Sequence, residues 1–89
     1  MKKILMIDDD EELCHEMCEV LSSEGYQADF VHSGEVGLKK ALHDSYGVVL
    51  LDLKMTGMGG RKVLEELKNK RPEIKIIVLA GSPLSPAIS

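Results

Sequence analysis

Tryptophan is absent, and Tyr26, Phe30 and Tyr46 are the only aromatic residues among 89, so any core this chain builds is aliphatic, drawn from Leu, Ile and Val. No run approaches the roughly 18 apolar residues of a membrane-crossing helix, and no signal-peptide pattern opens the chain; no membrane partner and a cytoplasmic location are expected. Basic charge is also short. Eleven Lys and Arg stand against fifteen Asp and Glu, a net charge of −4, and no basic stripe follows one face, which argues against direct nucleic-acid binding. Cysteine is limited to Cys14 and Cys18, four apart on an expected helix and next to His15. A tetrahedral thiolate site would need further ligands on that side, and His32 and His43 fall on other elements. Two partly buried, reduced thiols are expected instead.

What is present is an ordinary globular balance, 44 % hydrophobic and 29 % charged, in a length that suits one domain. The stretch Val48-Val49-Leu50-Leu51-Asp52 organises the rest. Four apolar residues without alternation, bounded by a carboxylate, suit a strand buried on both faces of a parallel sheet. Asp52 then sits at the carboxyl end of a central strand, where open α/β sheets place their ligands.

Around that strand the remaining elements follow in order. Lys2–Ile7 reads as a first strand; Leu13, Met17, Val20 and Leu21 recur with helical period, and Gly25 is placed to end that helix in a left-handed conformation. Gln27–Val31 is half-polar and suits a sheet edge. Ser33 is an N-cap for a second helix with the stripe Leu38, Ala41 and Leu42. After the loop Gly57-Met58-Gly59-Gly60 a third helix, marked by Val63, Leu64 and Leu67, runs to Arg71-Pro72; Lys68, Lys70 and Arg71 suit its C-terminal end of the dipole. Lys75–Leu79 is a fourth strand. The alternation of strands and helices specifies an α/β fold with a mostly parallel sheet and right-handed crossovers.

In such a sheet the carboxyl ends of the first and third strands share one edge, which brings Asp8 and Asp9 to Asp52. Three carboxylates in one pocket are unfavourable without a cation, and hard oxygen ligands with open positions suit Mg²⁺. Asp10, Glu11 and Glu12 are better explained as acids complementing the dipole at a helix N-terminus.

The stretches Ile4–Asp10, Gly25-Tyr26, Ser33-Gly34-Glu35 and Val48–Lys54, leading into Gly57–Gly60, resemble the receiver domain of two-component response regulators over nearly the whole chain. The resemblance implies a three-layer sheet of the flavodoxin-like type in the order 2-1-3-4. It implies Mg²⁺ held by Asp8, Asp9, Asp52 and the backbone carbonyl of Lys54. It also implies that Asp52 is the phosphoacceptor for a sensor histidine kinase or histidine phosphotransfer protein. A protein that carries a phosphoryl group as an acyl phosphate is a switch more than an enzyme. Nucleotide-binding and haloacid-dehalogenase-like alternatives fit less well. Acids rather than glycines follow the first strand, and Lys54 stands where the second Asp of Asp-x-Asp would be.

Three departures from the family pattern shape the expectations. Thr56 and Gly59 replace the usual Pro and Asp of the loop. Ala80 stands at the switch position, usually Thr or Ser. The chain ends before a fifth strand, its Lys, and the last two helices. Residues 1–80 are therefore expected to form a truncated receiver and 81–89 an irregular tail. The apolar strand Lys75–Leu79 would then be an open edge, suited to a homodimer. An alternative role is protein–protein association through that edge without phosphotransfer.

Overall fold

In the computed structural model, which describes residues 3–53 and 59–79, each strand is built around an apolar run and each helix buries one stripe against the sheet. The order is β1 (Lys3–Ile7), α1 (Glu11–Ser23), β2 (Gln27–Val31), α2 (Gly34–His43), β3 (Val48–Asp52), α3 (Gly60–Lys70) and β4 (Lys75–Leu79). All pairings are parallel, in the sheet order β2-β1-β3-β4. This is the flavodoxin-like three-layer arrangement, with β2 at an edge as its half-polar sequence requires. The positions expected to be a tail, 81–89, lie outside the described residues, as does Lys2.

The side chains of β1 and β3 alternate between two aliphatic layers. Leu5, Ile7, Val49 and Leu51 face α2 and α3, where Ala41, Val63 and Leu67 complete a core of nearly zero exposure. Ile4, Met6 and Leu50 face the other way, toward α1, which contributes buried Cys14 and half-buried Met17 and Leu21. The stripe expected on α1 is therefore shifted by one residue. Leu13 and Val20 are 36 % and 57 % exposed, whereas Cys14 is fully buried. Positions 14, 17, 18 and 21 repeat as well as 13, 17, 20 and 21, and the small thiol is what lets the helix settle close to the end of β1.

The helix ends behave as their sequences dictate. Asp10 and Ser33 accept from the backbone N–H groups of Leu13 and Val36, three residues on, each satisfying an otherwise orphaned donor. At the other end of α1, Gly25 adopts φ 92°. The N–H of Tyr26 bonds to the carbonyl of Leu21 at 3.0 Å, and that of Gly25 to Ser22 at 3.1 Å, which closes a Schellman turn. Arg71 does more than complement a dipole: its guanidinium donates to the carbonyl of Leu42 at 3.1 Å, fastening the end of α3 to α2.

Close approach of both helices to the sheet depends on missing side chains. A Cβ on Gly60 would lie 2.5 Å from the backbone carbonyl oxygen of Asp52 and from Cα of Leu53, so only glycine lets α3 begin there. A Cβ on Gly37 would press into Ile7, which has no exposure to yield into. Before β3, buried Tyr46 donates its hydroxyl to the Asp29 carboxylate of β2 at 2.6 Å, and the Lys3 ammonium lies 4.9 Å from its ring centre.

Candidate functional site

The sheet register places the expected acids together. Ile7 is in register with Leu51, so Asp8, one residue beyond β1, and Asp52, the last residue of β3, emerge side by side. Asp8 and Asp52 are 4 % and 6 % exposed, the two buried charged residues among those described; Asp9 is exposed. One carboxylate oxygen from each of Asp8, Asp9 and Asp52 lies within 4.8 Å of the others. Lys54, the expected carbonyl ligand, and Ala80, the expected switch position, both fall outside the described residues, as does Thr56.

Three carboxylates this close repel one another unless a proton or a cation offsets their charge. Burial pushes the Asp8 carboxyl above its usual range, and the neighbouring charges of Asp52 and Asp9 and a hydrogen bond shared with Asp52 push the same way; the Asp10 N–H, donating to Asp8 Oδ1 at 3.0 Å, opposes them. A hard divalent ion replaces the unfavourable repulsion with attraction to three oxygens and leaves open positions for water or phosphate. The donor set therefore fits Mg²⁺. Asp10 is engaged as the cap of α1, with Glu11 and Glu12 in its first turn, so the five acids divide as their positions suggest.

Two residues close to Asp8 were not legible as site residues. The Nδ1 atom of His32 lies 3.0 Å from the Asp8 carbonyl oxygen, and the thiol of Cys14 points at that same oxygen from 3.6 Å. The only sequence signal for His32 is its position immediately after β2, beside the end of β1. The Cys14 thiol is pushed up to about 12, first by burial and then by the charge of Asp8, so it stays protonated and acts as a weak donor. Cys14 and Cys18 are both free thiols, as expected.

Against known proteins, the family model for the response regulator receiver domain matches residues 4–86. The response regulator ArlR of Staphylococcus saprophyticus is 32 % identical over 82 residues, covering 92 % of this chain and 37 % of that protein. The transcriptional regulatory protein CpxR of Klebsiella pneumoniae is 39 % identical over 85 residues, covering 94 % and 36 %. The chain thus spans little more than a third of the curated relatives it matches. Among solved structures, the response regulator protein TrrA of Thermotoga maritima, in complex with Mg²⁺–BeF, superposes with a TM-score of 0.87 at 37 % identity, over 94 % of this chain and 73 % of that one. A complex of the histidine kinase ThkA with TrrA gives 0.85 at 37 % identity, over 99 % and 77 %.

Proposed function

The chain belongs to the response regulator receiver family, and on that premise we propose that Asp52 accepts a phosphoryl group from a sensor histidine kinase or histidine phosphotransfer protein, with Mg²⁺ as the cofactor. The observation that carries this is the convergence of Asp8, Asp9 and Asp52 within 4.8 Å at the ends of two adjacent strands. Asp8 and Asp9, together with the carbonyl of Lys54, would hold the ion beside Asp52. When bound, the ion screens the carboxylates from the incoming phosphoryl oxygens, which would otherwise repel them.

An Asp52 carboxylate oxygen attacks phosphorus in line with the departing imidazole nitrogen. The P–N bond of the phosphohistidine breaks as the P–O bond of the acyl phosphate forms, and the imidazole leaves with the electron pair. The transfer leaves the phosphoryl group on Asp52 until water takes it as inorganic phosphate and frees the carboxylate, so the chain serves as a phosphoryl carrier more than as a catalyst. The cytoplasm, where ATP-fed kinases work, is the fitting location; among the described residues no helix is long and apolar enough to cross a membrane.

Ala80 offers no hydroxyl to the phosphoryl group at the position where the family usually places one, so the acyl phosphate is expected to be short-lived, with Ala80→Thr prolonging it. Incubation with acetyl phosphate and Mg²⁺, followed by intact mass, should show one added phosphoryl group, lost in Asp52→Asn or with EDTA. No adduct at any time point overturns the assignment.

One observation favours association as a second role. β4 is the outer strand among those described, and Ile77 on it is 43 % exposed, so its backbone edge can pair with a second copy about a two-fold axis. Sedimentation should show a dimer that Ile77→Lys disrupts. A dimer without a phosphoryl adduct would make the Lys75–Leu79 edge the working part of the chain.

A further inference from the structure

We infer that His32 is a positioning residue of the carboxylate pocket, acting through the peptide plane that joins Asp8 to Asp9. The inference rests on the proposal that this pocket holds a divalent cation. A carbonyl oxygen can only accept, so a hydrogen bond from the imidazole at 3.0 Å requires the proton on Nδ1. The tautomer is thereby fixed, and the bond sets the direction of the Asp8 carbonyl. That carbonyl and the Asp9 N–H belong to one rigid plane. Turning it moves the Asp9 backbone and re-aims its carboxylate relative to those of Asp8 and Asp52.

The plane needs holding. Three like charges within 4.8 Å repel, and Asp9 is the exposed one, free of the packing that confines Asp8 and Asp52. Exposed Asp9 can leave the other two charges by turning its side chain or by turning the 8–9 plane, and a donor on the Asp8 carbonyl restrains the second of these. His32 blocks that rotation from the β2 side, since the adjacent Val31 carbonyl also accepts the Asp8 N–H at 3.1 Å. The end of β2 therefore grips Asp8 by both its N–H and its C=O. The imidazole is itself confined: its centre lies 5.3 Å from that of Phe30, whose other neighbour is the His15 ring at 5.0 Å. The Cys14 thiol, at 3.6 Å, is a weaker second donor to the same oxygen and cannot replace the ring.

The test separates the geometry from the metal. In the metal-free chain, long-range ¹H–¹⁵N correlation of the His32 ring should show the Nδ1–H tautomer; an Nε2–H ring overturns the proposal. In Mg²⁺ titrations followed by backbone amide shifts, His32→Ala should weaken affinity by about tenfold, the scale of losses when an outer partner of a metal ligand is removed. His32→Asn, whose amide N–H can stand where Nδ1–H stands, should recover most of it, and His32→Gln, which carries its N–H further out, should not. Urea midpoints in EDTA show whether the fold is intact, and a purely structural histidine would not distinguish Asn from Gln. Wild-type affinity in all three variants overturns the positioning role while leaving the pocket standing. A wild-type chain that takes up no Mg²⁺ removes the pocket, and this role with it.

Discussion

The two faces of the sheet are built to different standards. On one, α2 and α3 together seal Leu5, Ile7, Val49 and Leu51 at zero exposure. On the other, α1 is the one helix among the described residues that covers Ile4, Met6 and Leu50, and its own contacts, Met17 and Leu21, are only half-buried. The better-filled face supplies stability. The thinner face carries Cys14 and His32, which meet at the Asp8 carbonyl, and Phe30, which packs against His32. Division of labour between the faces lets the parts around the acids differ from an ideal core without weakening the fold.

The comparison breaks most visibly through truncation on each side. Leu67→Ala, in the sealed layer, should lose about 2–5 kcal/mol, whereas Met17→Ala on the α1 side should lose only about 1, because less area leaves contact. Urea denaturation of the two variants measures the gap, and equal losses would mean that the faces are equivalent. Gly60→Ala should lose about 1–3 kcal/mol by driving a methyl group into the backbone after Asp52. It should weaken Mg²⁺ uptake as well, since α3 and the end of β3 must separate.

Smaller effects sharpen the contrast. Tyr46→Phe removes the phenol that Asp29 accepts from at 2.6 Å, leaving a half-buried carboxylate short of a partner at about 1–2 kcal/mol. Asp52→Asn should act in the opposite direction and stabilise the metal-free chain at neutral pH by about 1 kcal/mol. The sign follows from Asp8, whose carboxyl titrates above its ordinary value of 3.8. Between that value and the raised one, the folded state holds more protons than the unfolded state, so this group's contribution to stability falls as pH rises through the window and stays lost above it. The advantage of Asp52→Asn over wild type, read from urea midpoints in EDTA, should therefore grow as pH rises from about 4. Saturating Mg²⁺ should abolish or reverse it.

Legibility followed the period of the side chains. The continuous run Val48–Leu51 suits a strand covered on both faces, half-polar Gln27–Val31 suits an edge, and the sheet places both so. Once the strands were placed, the meeting of Asp8, Asp9 and Asp52 followed from topology alone. The rotation of α1 did not follow, because two apolar stripes one residue apart share Met17 and Leu21, and packing against β1 chooses between them. The glycine contacts at positions 37 and 60 depend on distances between elements, which no local pattern records. His32 stayed hidden for a similar reason, since its partner is a backbone oxygen and backbone oxygens have no letter in the sequence.

The pairing of β1 with β3 has a kinetic corollary. Ile4 is in register with Val48, and all of α1, β2 and α2 lies between them. The first contact between these strands must close that whole loop, so its entropy is spent before any β1–β3 packing repays it. The acids at the two strand ends can meet only after this closure. A growing chain that has not yet made β3 holds two of the three carboxylates, and that pair is no better a ligand than any other exposed acidic pair. An ion that needs all three carboxylates therefore binds behind the folding barrier. It should slow unfolding in proportion to its occupancy while leaving the folding rate nearly unchanged.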